Sequence, residues 1–166
     1  GREEEWRFTP IKRLRGLLTG QPAATSRIKH EYDQLPTGVT VSTLDRGDQR
    51  IGSVLVPFDR ISALAYGGAE QALLISVAAD AVVVEPAVVR VVGGGAEGIA
   101  YGHTFVEVGR FAEATVVLEH VGSATLADNV EVSVADGANL TLVTVADWAA
   151  DTVHAQHLKL KLGRDA

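Results

Sequence analysis

Four short stretches of this chain repeat one arrangement. ISVAADA begins at Ile75, VEVGRFA at Val106, VSVADGA at Val132 and LKLGRDA at Leu160. Each has apolar residues at its first and third positions, then a three-residue break, then alanine. The alanines are Ala81, Ala112, Ala138 and Ala166, spaced by 31, 26 and 28 residues. A period of that size suits one turn of a multi-sided β-solenoid, with loops absorbing the variation. A small residue recurring after each break suits a tight corner. The residue before it is Asp80, Phe111, Gly137 or Asp165. Gly and Asp tolerate the left-handed backbone that such a corner requires; Phe111 does not follow that rule.

The alternation predicts facing. Val132 and Val134 should point inward and Ser133 outward; past the corner, Ala138, Leu140 and Leu142 point inward, Asn139 and Thr141 outward. Glu113, Glu119, Lys159 and Lys161 fall on the outer face. Residues 130–145, VEVSVADGANLTLVTV, also fit a hairpin, and a meander or Greek-key sandwich shows short strands with regular turns as well.

Ahead of these repeats the pattern differs. Thr9 can cap a helix with Pro10 at its first position, and Ile11, Leu14 and Leu18 recur at helical spacing. A helix is expected over about 10–18, stopped by Gly20, with Trp6 and Phe8 extended before it. From Val39 onward the vocabulary is β-branched and punctuated by Gly, Pro and Asp. ISALAYGGAEQALL (61–74) is ambiguous and reads as a short helix across one end. The expected division is 1–30 for an extended segment with a short helix, and 31–166 for the coils.

Composition narrows the function classes. The chain has 166 residues, 46% of them hydrophobic but only 5% aromatic, so Val, Ala and Leu must fill the core. Cysteine is absent, which excludes disulfides, zinc–thiolate sites and cysteine-ligated clusters within this chain. No run is long and apolar enough for a membrane helix, and no signal-peptide pattern opens the chain. Net charge is −6. Between Phe111 and Leu158 there are seven acidic residues and no Lys or Arg, so a nucleic-acid partner is disfavoured.

Several stretches together resemble SufD, of the SufB/SufD family in the SUF system of iron–sulfur cluster assembly. They are the opening EEEWRFTPIKRLRGL, AYGH at 100–103, LADNVEV at 126–132 and ADWAADTVHAQHLKLKLGRDA at 146–166. The resemblance implies an all-β fold, a right-handed parallel β-helix, in agreement with the repeat. It also implies a longer parent protein, of which this is an early part cut within a coil. The function implied is that of a non-catalytic, cytoplasmic scaffold, with SufB and SufC as partners of the full-length protein through regions that lie beyond this chain. No functional residue of the family can be placed on a position here, so no catalytic, cofactor or metal residue is expected. If Leu158–Ala166 is an open end, its unpaired backbone predicts self-association.

GGGAEG at 93–98 satisfies G-x-G-x-x-G, but IAYGHTFVEV after it reads as strand where a dinucleotide site needs a helix. It is expected to be a loop. His154 and His157, with Asp147 and Asp151 upstream, would share a face on a helix but not on a strand. His103 with Glu107, and His120 beside Glu119, lack a paired-histidine metal spacing. Asn139-Leu140-Thr141 is a glycosylation sequon without a secretory signal. Trp6 and Trp148 suit core ends better than partner contacts. A carbohydrate-active β-helix enzyme, needing clustered acids and an arginine base, and an all-β interaction module are the alternatives.

Overall fold

The computed structural model describes residues 9–14, 16–18 and 28–166. Trp6, Phe8 and Gly20 lie outside the described residues. Seven strands form one continuous sheet system: β1 (Ile28–Glu31), β2 (Val39–Asp45), β3 (Gln71–Val77), β4 (Ala87–Val108), β5 (Glu113–Val134), β6 (Asn139–Trp148) and β7 (Val153–Leu162). β3 pairs in parallel with β4, β4 with β5, and β5 with both β6 and β7. Parallel pairing between successive elements removes the hairpin and sandwich readings. The chain is a β-solenoid of about three turns.

The two long strands each bend and serve two walls. One wall stacks β3, the second half of β4, the second half of β5, and β7. The opposite wall stacks the first halves of β4 and β5 with β6. Register makes the repeat literal: Ile75, Val106, Val132 and Leu160 form one column, and Val77, Val108, Val134 and Leu162 the next. From the far wall Ala87, Val89, Ala114, Val116 and Leu118 meet the first three members of each column in the principal core. Ser133 is half-buried, while Asn139 and Thr141 are exposed, as the alternation requires.

The corners explain the alanines. Asp80, Phe111, Gly137 and Asp165 are all left-handed, with φ of 60°, 57°, 66° and 58°. The first three donate their N–H to Arg110, Asp136 and Arg164 carbonyls of the next coil, at 2.9, 3.2 and 2.8 Å. Phe111 therefore adopts the corner conformation despite its side chain, at a cost of about 1–2 kcal/mol. Its ring fills the space above Gly137: a Cβ there would sit 2.5 Å from the ring. Arg110 lies over the same ring, 5.5 Å from its centre. Ala112 and Ala138 are buried beneath these corners.

β1 and β2 are antiparallel additions. β1 lies on the first half of β4 and β2 on β3, so both cover the starting edge of the stack. The ambiguous stretch 61–74 divides into α1 (Arg60–Gly68) and β3. Asp59 caps α1, accepting from the Ser62 N–H at 2.7 Å, and Ser62 Oγ reciprocates in a capping box. The expected helix over 10–18 is instead a 3₁₀ turn, Ile11–Leu14, and Gly16 at φ 84° interrupts helical continuation. GGGAEG is not a loop either. It lies inside β4, where a register shift between Gly95 and Ala100 bends the strand from one wall to the other. Strand follows it, so the dinucleotide geometry does not arise.

Candidate functional site

Two polar constellations interrupt the apolar packing, one outside the coil wall and one in its lumen. The outer one lies beneath α1 and the 51–59 segment. Glu131 projects outward from β5, fully buried, and accepts from Gly52, Val54 and Leu55 N–H groups at 2.5, 2.6 and 2.8 Å. His103 Nε2 approaches the same carboxylate at 2.8 Å from the neighbouring strand. Burial pushes the Glu131 pKa up, but the bonds from His103 and three backbone amides more than offset it. The net direction is below the ordinary carboxylate value. Alongside, His157 Nε2 lies 3.0 Å from Asp59 Oδ2, and Asn129 Nδ2 donates to the Ser62 carbonyl at 2.9 Å. These contacts hold α1 to the wall.

The lumen constellation follows from period two. His120 is inward on β5 in the Val116–Leu118 series, Asp128 is inward in the Val130–Val132 series, and His154 and Gln156 are inward on β7. The bend in β5 turns its two halves toward each other, so His120 faces Asp128. His154 Nε2 lies 2.8 Å from Asp128 Oδ1, and Trp148 Nε1 donates to His154 Nδ1 at 3.1 Å. An indole N–H can only donate, so His154 Nδ1 is unprotonated and Nε2 carries the hydrogen that Asp128 accepts. His120 Nδ1 lies 3.2 Å from the Val145 carbonyl, which can only accept, so Nδ1 carries the proton and Nε2 is an acceptor. Gln156 Nε2 sits 3.3 Å from that nitrogen and 3.1 Å from Asp128 Oδ2. Burial lowers the His120 pKa, with the Asp128 charge opposing and His154 reinforcing the shift. His30 on β1, registered opposite Val91, is lowered by burial too and feels the same Asp128 charge.

The histidine pairs suggested by spacing do not assemble. His154 and His157 lie on opposite faces of β7, Asp147 is exposed, and Asp151 accepts from Ser123 Oγ at 2.8 Å. His103 is joined by Glu131 rather than Glu107, and His120 by Asp128 rather than Glu119. Neither partnership has a short-range sequence signal. The signal that existed was the inward parity of His120, Asp128 and His154 once strand register is known. Trp148 packs with the small cluster of Val91, Ala100, Ala124 and Leu126 at this end of the lumen, as a core-end tryptophan should.

Residues 91–166, spanning the second and third coils, match the SufBD core domain of SUF-system iron–sulfur cluster assembly. This chain belongs to the SufB/SufD family. It is 46% identical over all 166 residues to an iron–sulfur cluster assembly SufBD family protein of Mycobacterium bovis. Counterparts in Mycobacterium tuberculosis (strain H37Rv) and Mycobacterium leprae are 45% and 41% identical over the same span. The chain covers 42% of the length of each of these relatives. No solved structure matches it significantly. Among the described residues, no helix is long and apolar enough to cross a membrane.

Proposed function

We propose that this SufB/SufD-family chain is the early solenoid of a SufD-type subunit, a non-catalytic scaffold working in the cytoplasm with SufB and the ATPase SufC. The observation that carries this reading is identity of 41–46% sustained over every residue with SufBD assembly proteins. The stacked coil suits a scaffold, because each coil holds its neighbours through continuous parallel ladders and strain at one end is passed along the stack. In this reading ATP-driven closure of SufC distorts a SufB–SufD pair and opens a cluster-building site between them. The present coils act as the rigid arm through which that distortion works.

The test is co-purification of the tagged full-length parent protein with SufB and SufC at their natural expression ratio. A stable complex containing all three supports the reading. Pairing with SufC and a second copy of this protein, without SufB, would instead make it SufB-like or self-sufficient. Recovery of neither partner overturns it.

A further inference from the structure

We infer that the lumen triad His120, Asp128 and His154 is a binding site for a divalent first-row transition-metal ion. One ligand atom from each side chain lies within 4.8 Å of the other two. A tetrahedral ion with ligands at about 2.0–2.2 Å spaces them by about 3.3–3.6 Å, so small side-chain rotations complete the site. Two imidazoles and a carboxylate favour Zn²⁺, Fe²⁺, Co²⁺ or Ni²⁺ over Mg²⁺ or Ca²⁺, which take oxygen.

Two further observations point to a cation. His120 is set as metal-binding histidines are: Nδ1–H is fixed on a backbone carbonyl, and Nε2 turns its lone pair to the centre. The Asp128 side chain is 5% exposed, yet among the described residues its hydrogen-bond donors are His154 and Gln156, with no Lys or Arg in reach. A buried carboxylate without a cationic partner is costly. The Gln156 amide nitrogen occupies the place between His120 and Asp128 where the ion would sit. An ion entering there displaces the amide, which on turning over presents Oε1 rather than N–H groups as a fourth ligand atom. The His154 side chain keeps 15% exposure, which gives an ion a way in.

Metal binding has a specific consequence for Trp148. Coordination through His154 Nε2 displaces the proton there, and the neutral ring must then carry its hydrogen on Nδ1. The Trp148 N–H can no longer donate to that atom, so the indole moves as the ion binds.

The experiment is titration of the chelator-treated, purified protein with Co²⁺, followed by visible absorption and tryptophan fluorescence, with Zn²⁺ competition. The expected result is one equivalent bound, ligand-field bands, and a fluorescence change that Trp148→Phe abolishes while the bands persist. His120→Gln and Asp128→Asn should each weaken binding by about 10-fold or more; Asp147→Asn, an exposed acid outside the lumen, should not. Thermal melting of the unaltered protein guards against variants that misfold: Zn²⁺ should raise its midpoint and Mg²⁺ should not. Binding that survives in folded Asp128→Asn overturns the inference. So does absence of both the cobalt bands and the Zn²⁺-dependent rise in the unaltered protein.

Discussion

Glu131 is the residue whose environment departs furthest from its chemistry. A carboxylate at the base of an α1-covered wall is stabilised only because four N–H groups converge on it. Glu131→Gln turns an amide N–H toward backbone donors that need an acceptor. We expect a loss of roughly 2–4 kcal/mol, read by urea unfolding. The acid limb of stability should change as well. The folded pKa lies below the ordinary value of about 4.3. Glu131 therefore contributes fully above that pH, and the contribution is lost as pH falls through the folded value. The Gln variant should show a flatter decline as pH falls below the ordinary carboxylate range. At the corner, Gly137→Ala places a methyl group against the Phe111 ring at positive φ. It should cost about 1–3 kcal/mol. In a Phe111→Ala background only the backbone part of that cost should remain, and a double-mutant cycle in urea separates the two.

Corners and walls behave as repeated elements. Ala112 and Ala138 sit under left-handed residues that are tied to the next coil, with their methyl groups in the principal core. Ala112→Leu should destabilise by about 1–3 kcal/mol through overpacking. The same change at the exposed Ala166 should be within about 0.5 kcal/mol of neutral. Thermal melts of the two variants side by side test whether equivalent sequence positions differ because one coil lies inside the stack and one at its end. The helix α1 is held differently, by its Asp59 cap and by contacts with His157 and Asn129 rather than by ladder bonds. Asp59→Ala removes the cap and the carboxylate that His157 contacts, and should loosen α1 before the coils. Hydrogen exchange would register this as faster exchange in 60–68 with β5 still protected.

Across the molecule the two ends of the stack differ. The starting edge is covered by the antiparallel β1 and β2, whereas Leu158, Leu160 and Leu162 on β7 are 43%, 48% and 59% exposed. Val143 and Val145 on β6, in the opposite wall, are exposed as well. An apolar β end of this kind recruits further strands. This 166-residue chain should self-associate in light scattering, and Leu160→Lys should shift it toward monomer. A chain that stays monomeric at high concentration without the substitution would show that this end does not drive association.

Much of the architecture could be read from residue types alone, because a solenoid writes its period into the chain. Alternation fixed which side chains face the lumen, and alanine with a left-handed neighbour marked each corner. Phe111 broke the expected type yet kept the conformation, since the backbone bond to the next coil and its ring over Gly137 outweigh a local preference. The 3₁₀ turn and the bend inside GGGAEG were not legible, because helical spacing and a glycine run are each compatible with several backbones. The lumen triad was equally hidden. His120 and Asp128 share one strand, eight residues apart, and meet only because β5 folds from one wall to the other. His154 reaches them through parallel register from β7, 26 residues beyond Asp128. Local sequence sets side-chain parity and turn chemistry; which inward residues confront each other depends on bends and register, which are properties of the assembled stack.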